Sequence, residues 1–555
     1  MKNEKNIWLP ILLATALAAG VLIGGSLNFD DTPRKFFSSN SKKEKLNRLV
    51  DYIEHDYVDE VNTDSIVDIT VNKILEKLDP HSVYISREDR QQVSENMQGD
   101  FVGIGVSFRM YNDTLSVIRP IQGGPGIKAG IRSGDRILFA DNDTLFGKHL
   151  RSRDLVDKLK GTAGTPVALK VYRKEEDTLL TLTVKRAKVP IQSVDAFYML
   201  TDRLGYVKIN RFAETTYTEF KKALDTLMRR GATQLVLDLR DNPGGYMGVA
   251  EEIADEFLER DKLILFTKNK RGEVRKAFAT ARGDFEDGKV FVLIDEKSAS
   301  ASEIVAGALQ DNDKGVIVGR RSFGKGLVQR EMALGDGSSV RLTVSRYYTP
   351  TGRSIQRSYD KGIDDYYHQF YERYHNGELV TADSIHVNDS LKFTTPKGRV
   401  VYGGGGIVPD VFIPLNTSLE EEALNYVLEN GFLSYFAFEY LDKNRSLYSG
   451  YNEDEFVETV DIGDDLIEEF IKYGKRNRAI VGVDFSRIDF SPYEDSLKKY
   501  IKATIAEQLY GPDAYTRIVN TGDHAISKVI ELSRNDNDGA EVDNSNAEKL
   551  EIKKD

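Results

Sequence analysis

The chain has 555 residues, 40% hydrophobic and 30% charged, so most of it can fold around buried cores in about three to five domains. It contains no cysteine, which excludes disulfide scaffolds, thiolate zinc sites, a cysteine nucleophile and a lipidated cysteine anchor. The net charge of −12 disfavours nucleic acid as a partner, and the seven histidines form no HExxH motif or compact cluster, so no metal is expected.

The amino end carries an apolar run without a charged residue, from Ile7 to Leu27. It is long enough to cross a hydrocarbon core of ~30 Å. A retained anchor is favoured over a cleaved signal peptide, for which Ala16-Leu17-Ala18 would be the cleavage site, and over a buried soluble helix. We therefore expect residues 1–31 to be a membrane anchor or signal segment, with the bulk of the chain outside the inner membrane.

Residues 32–95 predict a linker followed by two helices, because apolar residues recur at helical spacing between Lys45 and Leu78 and Asp79-Pro80 ends the pattern. Residues 96–190 change to short strand-like runs separated by Gly, Asp and Asn, with one helix at Ser152–Leu159. This segment predicts a small β-rich domain. Its expected strands are 102–108, 114–119, 136–140, 167–172 and 179–184.

Residues 191–355 alternate strands and helices, which predicts βαβ crossovers and a sheet with a parallel component. The expected strands are 204–209, 234–238, 263–266, 290–294 and 315–318, and the expected helices are 216–229, 248–258 and 303–309. Residues 418–533 are mostly helical in pattern, with caps at Thr417/Glu420 and at Ser491-Pro492/Glu494. The polar tail 534–555 is expected to be disordered.

A candidate nucleophile lies where the buried strand 290–294 runs into an alternating serine segment, residues 298–302, and then into a helix. The first turn of a helix offers free backbone N–H groups and the positive end of the helix dipole, which suit an oxyanion. The pattern Ser300-x-x-Glu303 is also a capping box, so a purely structural role for Ser300 stays open.

A serine nucleophile needs a base, and no histidine lies between His149 and His368. Lys325, flanked by glycines, is available if burial lowers its pKa toward neutrality. A solvated lysine in a turn is the competing interpretation. The stretch 319–325 also matches GxxxxGK, but Gly326 stands where a phosphate loop needs Ser or Thr, and strand-like residues follow, so nucleotide binding is disfavoured.

A second glycine loop, residues 239–245, follows the buried strand 234–238. Glycines at this position place bare N–H groups at the carboxyl edge of the sheet, where ligands bind. A plain strand-to-helix turn is the alternative.

Several motifs together resemble those of the C-terminal processing, or tail-specific, serine peptidases with an inserted PDZ domain. The likeness covers residues 45–356 and 406–410. In chain order the motifs are LDPHS (78–82), GIGV (103–106), AGIRSGDRIL (129–138), DLRDNPGG (238–245), SASASEI (298–304), FGKGLVQ (323–329) and YYTPTGRSIQ (347–356).

The resemblance implies that Ser300 is the nucleophile, Lys325 the general base and Gln329 the residue that orients the lysine. If this stretch is a strand, positions 325, 327 and 329 share one face, which would pair the lysine with the glutamine. An acyl-enzyme mechanism without metal or other cofactor is implied.

The resemblance places the oxyanion donors at the N–H groups of Ala301 and of Gly244 or Gly245, and it leaves the choice between the two glycines open.

The segment 96–190 is similar to a PDZ domain, which adds a peptide strand to a sheet edge and holds the terminal carboxylate on backbone N–H groups. The resemblance places that loop at Gly103, Ile104, Gly105 and Val106. It implies capture of protein substrates by their C-terminal tails. That this binding gates the active site is a hypothesis.

One departure from the family is an insertion, residues 357–405, between the GRSIQ and GIxPD motifs. It is rich in Tyr, His and Asp, and we expect a lid or contact surface rather than a metal site. The insertion, the amino-terminal helices and region 416–533 are candidates for an oligomer interface, so a homo-oligomer is left open.

The expected fold class is multidomain α+β: an N-terminal membrane helix, a helical lead-in, a PDZ β-domain, an α/β peptidase core with a mixed sheet (191–415) and a C-terminal helical region (416–533). The expected function is a serine endopeptidase that cleaves C-terminal tails of envelope proteins. It would lie in the bacterial cell envelope, anchored in the inner membrane with its catalytic part in the periplasm, or soluble there after cleavage. A catalytically silent PDZ adaptor on the same fold is the alternative.

Overall fold

The computed structural model describes residues 14–15, 41–415, 427–428, 430–477, 485 and 488–535. The apolar run 7–27 lies outside them except for Ala14 and Thr15. Within the described ranges, no helix combines the length and the apolar character needed to cross a bilayer. The chain divides into two compact units, Met1–Ile74 and Leu75–Asp555.

Two helices were expected before residue 79, and both are present: α1 (Ser41–His55) and α2 (Thr63–Leu75). The second helix ends earlier than predicted. It stops at Leu75, and the N–H of Leu78 donates to Leu75 O in the turn that follows (2.8 Å).

A short strand and a capped helix lead into the β-rich region. Ser86 caps α3 by accepting from the N–H of Asp89 (3.1 Å), and Gly99 ends that helix in the left-handed conformation. The elements of this part of the chain are β1 (Val83–Ile85), α3 (Arg87–Gln98), β2 (Asp100–Gly103), β3 (Val106–Tyr111), β4 (Thr114–Pro120), α4 (Pro125–Lys128), β5 (Arg136–Ala140), β6 (Asp143–Thr144), α5 (Ser152–Leu159), β7 (Pro166–Arg173), β8 (Thr178–Lys185) and β9 (Ala187–Pro190).

The β-rich region is built on an antiparallel sheet of order β3-β4-β5-β7-β8, with β6 paired to β5. Alternate residues of β7 are buried, as expected of a strand with one face on a core, and Leu155 and Leu159 of α5 close that core. β2 and β9 pair where the chain enters and leaves the region. The expected strand 102–108 is broken at Ile104-Gly105, which leaves β3 at the edge of the sheet.

The next region alternates strands and helices, as predicted. Its elements are β10 (Val194–Met199), β11 (Leu204–Ile209), α6 (Thr216–Arg229), β12 (Gln234–Asp238), α7 (Met247–Asp255), β13 (Leu263–Asn269), β14 (Val274–Phe278), β15 (Lys289–Ile294), α8 (Ala301–Asp311), β16 (Gly315–Gly319), β17 (Leu327–Ala333), β18 (Ser339–Tyr348), α9 (Ile363–Glu372), β19 (Lys392–Thr394), β20 (Val400–Tyr402) and β21 (Val411–Phe412).

The central sheet has the order β10-β11-β12-β15-β16-β21 and is parallel except for β10, so the mixed sheet is confirmed. β12 is apolar at its three central positions and β15 at every position after Lys289, because both faces of these strands are covered. Helices α6, α7 and α8 pack on one face. A second sheet of order β1-β18-β13-β14, with β17 on β18, carries the segment that follows Lys325.

The carboxyl-terminal region is helical and has its own aromatic-rich core. The predicted cap at Thr417 lies outside the described residues. The cap predicted at Ser491 is one turn early, because Ser491–Tyr493 form a 3₁₀ turn before the α-helix begins. The helices are α10 (Phe432–Asn444), α11 (Glu453–Thr459), α12 (Asp464–Arg476), α13 (Glu494–Leu509), α14 (Pro512–Val519) and α15 (His524–Asn535), the last of which runs past the predicted start of the tail at 534.

The last helix closes the second face of the central sheet. Ala525, Ile526 and Val529 of α15 pack on the residues of β11, β12, β15 and β16 that point away from α6–α8. The carboxyl-terminal region therefore completes the α/β core.

Candidate active site

Ser300 lies at the turn between β15 and α8, as the N-cap residue of α8. Its φ is +55°, in the left-handed region, where a non-glycine residue costs of order 1–3 kcal/mol and must be held by its surroundings. Its N–H donates to Glu303 Oε2 (2.8 Å), which forms the carboxylate half of the predicted capping box. The helix starts at Ala301, two residues earlier than predicted.

The two neighbouring serines have structural partners. Ser298 and Ser302 are fully buried, and their hydroxyls reach Leu239 O (2.8 Å) and Asn242 O (3.0 Å). Ser300 is only half-buried, and its side chain is the other half of the capping box, facing the N–H of Glu303. Of the three serines, Ser300 alone is partly exposed.

Lys325 is a buried lysine in the loop just before β17. The condition that residues 325–329 all lie on one strand is met only from Leu327 onward, where β17 begins. The side chain nevertheless reaches forward, and Nζ donates to Gln329 Oε1 (3.0 Å). Burial first, and then the charge of Arg341, lower the pKa of Lys325. The pairing of lysine with glutamine is therefore present without the strand.

Glu303 and Tyr347 tie the backbone of Ser300 to that of Lys325. Oε2 of the fully buried Glu303 accepts from both N–H groups, at 2.8 Å from Ser300 and 2.9 Å from Lys325. The hydroxyl of Tyr347 lies within hydrogen-bonding distance of both carbonyl oxygens, 3.2 Å from Ser300 and 3.0 Å from Lys325. Two residues 25 positions apart in the printed sequence are thus held side by side by shared partners.

Gln329 is fixed by the LDPHS loop. Its amide Nε2 donates to His81 O, which leaves Oε1 to face Lys325. Asp79 holds the loop itself by accepting from the N–H groups of His81 and Ser82, both at 2.8 Å. The orientation of the glutamine amide is therefore set by a loop far away in the sequence.

The two candidate oxyanion glycines differ in what their N–H groups do. Gly244 N–H donates to Asn242 Oδ1 (2.8 Å), and an added Cβ there would lie 2.8 Å from Ala301 N. Within the described ranges, the N–H groups of Gly245 and Ala301 donate to no partner. The side chain of Asn242, fully buried, also donates from Nδ2 to Ile209 O (2.8 Å) and so fixes the loop.

The predicted peptide-binding loop joins β2 to β3. Gly105 has a φ of +71°, and an added Cβ would lie 2.9 Å from the Pro125 ring, so the tight turn requires glycine. Ile104 and Val106 point into the same core as α5. The loop therefore lies against the start of α4, and β3 follows it at the edge of the sheet.

The phosphate-loop alternative does not fit the structure. The stretch 319–325 is followed by β17 rather than by a helix, and Lys325 is committed to Gln329.

Sequence reasoning missed several residues that organise this site. Tyr347 and Asn242 lay inside quoted motifs without a role, and Glu303 was considered only as a helix cap. All three residues could have been noticed because they lie within motifs. Their contacts could not be predicted, because these depend on the tertiary fold.

Comparison with known proteins gives the family. The model of peptidase family S41 matches residues 203–367, a PDZ domain model matches residues 102–185, and a family of unknown function (DUF8443) matches residues 423–511. A carboxy-terminal-processing protease of Bartonella bacilliformis is 34% identical over 346 residues, which is 61% of this chain and 79% of that protein.

Carboxy-terminal processing protease CtpB of Bacillus subtilis is 33% identical over 324 residues, 58% of this chain and 66% of that protein. A solved structure of the photosystem II D1 C-terminal processing protease aligns with 27% identity and a TM-score of 0.35, over 68% of this chain and 89% of that one. The chain therefore belongs to peptidase family S41, among the carboxy-terminal processing proteases that carry a PDZ domain.

Proposed function

We propose that this chain is a serine endopeptidase that recognises and cleaves the C-terminal tails of proteins, with Ser300 as nucleophile and Lys325 as general base. The observation that carries the proposal is the setting of Lys325, a buried amine that is hydrogen-bonded to Gln329 and shares Glu303 and Tyr347 with Ser300. Desolvation favours the neutral amine, which is the form that can accept a proton.

In the first step, neutral Lys325 takes the hydroxyl proton of Ser300 while Oγ bonds to the scissile carbonyl carbon. The negative charge that develops on the carbonyl oxygen would be held by the N–H groups of Ala301 and Gly245, which have no other described acceptor. The lysine ammonium then gives its proton to the leaving amine. Water attacks the resulting ester and Lys325 accepts its proton. As the bond between the carbonyl carbon and Ser300 Oγ breaks, Lys325 returns that proton to Oγ, which releases the carboxylic acid and leaves free Ser300 and a neutral lysine.

Tail capture is assigned to the PDZ domain. β3 is an edge strand, so an extended peptide can pair with it, and the adjacent loop Gly103-Ile104-Gly105-Val106 can bind the terminal carboxylate through its N–H groups. An apolar last residue would suit the neighbouring apolar core. Substrates are therefore proteins with free, extended, apolar C-termini.

The place of action is proposed to be the bacterial cell envelope, with residues 7–27 as an inner-membrane anchor and the catalytic part in the periplasm. The support is the length and uncharged character of that run. Cell fractionation tests the membrane anchoring. The full chain should sediment with inner membranes, and a chain that begins at residue 32 should not. Recovery of both in the cytoplasmic fraction would contradict the proposal.

Cleavage of a fluorogenic peptide with an apolar, free C-terminus tests the function. Ser300→Ala should abolish cleavage, and Lys325→Ala should lower kcat/KM by at least about 100-fold, because general base catalysis contributes about 10²–10⁴-fold. Lys297→Ala, an exposed lysine next to the same turn, is the matched control and should be unaffected.

Two results would overturn the proposal. Full cleavage by the Lys325→Ala variant would show that Lys325 is not the general base. A wild-type chain that binds the tail peptide and leaves it intact would be the PDZ adaptor. The same peptide with a C-terminal amide should be a much poorer substrate if the carboxylate loop is used.

A further inference from the structure

The insertion 357–405 contacts the loop that carries Lys325. The N–H of Arg357 donates to Gly324 O (3.1 Å), and Arg373 Nη1 donates to Ser322 O (3.0 Å). Arg373 is itself buried against Glu378 (2.7 Å). The main chain on the amino side of the lysine is therefore fixed by the insertion.

Helix α9, within the insertion, also contacts the LDPHS loop. Tyr366 is fully buried, and its hydroxyl lies 2.9 Å from His81 Nε2. The hydroxyl of Tyr367 donates to Pro80 O (3.1 Å). Tyr366 thus contacts His81, the residue whose carbonyl oxygen accepts from Gln329, and Tyr367 contacts the residue before it.

From His81 the contacts continue to the base. His81 O accepts from Gln329 Nε2, and Gln329 Oε1 accepts from Lys325 Nζ (3.0 Å). An amide has one oxygen and one NH₂ group, so fixing its NH₂ on His81 also fixes which atom faces the lysine. The path from Tyr366 to Lys325 is three hydrogen bonds long.

The helix is anchored at this position by a buried cation. The guanidinium of Arg357 lies over the ring of Tyr366 (4.1 Å) and over that of Phe323 (4.5 Å), the residue two before Lys325. Arg357 forms no ion pair with a described acidic residue. Its guanidinium is held by these rings and by the bond from Nη1 to Tyr366 O (3.3 Å), so α9 and the lysine loop pack against the same cation.

The His81–Tyr366 pair is neutral. Burial, and then the charge of Lys325, lower the pKa of His81 to about 3, and burial raises the pKa of Tyr366 to about 12. The hydrogen bond between them therefore persists across the physiological pH range.

We propose that Tyr366 is a positioning residue of the peptidase: through His81 and Gln329 it holds the Lys325 amine in the orientation that removes the Ser300 proton. The inference rests on the proposed function and assigns part of the catalytic geometry to the insertion.

Tyr366→Phe tests the inference, since it removes only the hydroxyl and keeps the ring over Arg357. We expect kcat to fall on the order of tenfold while KM for the tail peptide stays unchanged. A misplaced base slows the proton transfer from Ser300 but does not alter how the peptide binds. Tyr371→Phe, on the exposed side of the same helix, is the matched control.

A double-mutant cycle separates positioning from general structure. In the Gln329→Ala background, Tyr366→Phe should have no further effect on kcat, because its path to Lys325 is already cut. The inference would be overturned if the two substitutions reduced kcat by independent factors that multiply in the double variant. It would also be overturned if the kcat of Tyr366→Phe equalled that of Tyr371→Phe.

The pKa of Lys325 gives a readout that does not depend on cleavage. Competitive acetylation, followed by mass spectrometry of the Lys325 peptide, should show a higher pKa of Lys325 in Tyr366→Phe. The amine would be held less tightly and become better hydrated, which favours its charged form. The other charged or titratable groups that face this amine are Arg341, Glu303, Asp79 and His81, and all are retained. A shifted pKa in a chain that cleaves nothing would uphold the positioning and defeat the proposed function. An unshifted pKa would refute the positioning.

Discussion

Ser300 differs from its serine neighbours in its backbone conformation and in the exposure of its side chain. Ser298 accepts from Asp295 N–H (2.9 Å) and reaches Leu239 O, so it joins β15 to the glycine loop. Ser300 has a strained φ and a partly exposed side chain that takes part in the capping box with Glu303. Among the alternating serines, the buried ones therefore stabilise the turn, and Ser300 is the one that the turn exposes.

This division predicts opposite outcomes for two substitutions. Ser298→Ala should lower the local free energy of unfolding by about 1–3 kcal/mol, because buried partners are left unsatisfied. Ser300→Ala should change it by less than about 0.5 kcal/mol while abolishing cleavage. Hydrogen exchange of β15 amides measures both. Equal destabilisation by the two variants would mean that Ser300 is a structural cap.

At the scale of elements, α10 of the carboxyl-terminal region is joined to the PDZ sheet. Asp442 pairs with Arg136 of β5 (2.5 Å) and with Lys174 (2.9 Å), and the Arg136–Asp442 pair is largely buried. Arg109 of β3 donates to Ser434 O (2.6 Å) and lies over the ring of Tyr435 (4.0 Å). These contacts fix the PDZ domain on the helical region.

Asp442→Ala should loosen this contact, because breaking a buried pair leaves Arg136 without its partner, at a cost of about 3 kcal/mol. Hydrogen exchange in β5 and α10 should accelerate by more than tenfold. Glu439→Ala, which removes only the pair with the exposed Lys443, is the control and should cost less than about 1 kcal/mol. Unchanged exchange in Asp442→Ala would show that the apolar contacts alone hold the interface.

The same interface has a defined pH dependence. Burial acts to raise the pKa of Asp442, but the hydrogen bonds from Lys174 and Arg136 hold it below its ordinary value. The stabilisation is therefore present above the unfolded pKa and is lost as pH falls through the lower folded pKa.

Sequence patterns predicted those elements whose periodicity is set locally. The bounds 204–209, 216–229, 234–238 and 152–159 agree with the structure because their apolar spacing and turn residues coincide with the element ends. The sequence left open whether Lys325 lies on a strand, because the loop is shaped by hydrogen bonds from its N–H groups to Glu303, 22 residues earlier in the chain. The role of Tyr366 had no local signal, since its partner His81 lies 285 residues away.

At the scale of the whole molecule, segments distant in sequence complete the central α/β core. The LDPHS loop fixes Gln329, the insertion 357–405 packs on the lysine loop, and α15 covers the second face of the sheet. Family S41 and PDZ models account for residues 102–185 and 203–367, whereas α15 lies outside every matched model. The site is thus built from more of the chain than the family motifs include.

The rate at which Ser300 is acylated, followed by mass spectrometry with a peptidyl acylating probe from neutral to alkaline pH, tests the central claim most directly. We expect a single adduct on Ser300, formed at a rate that rises with pH through a pKa below the ordinary 10.5 of lysine, because Lys325 must be neutral to accept the proton. Lys325→Ala should slow the reaction by at least about 100-fold and remove that pH dependence. An adduct on another residue, or an unchanged rate and pH profile in Lys325→Ala, would contradict it.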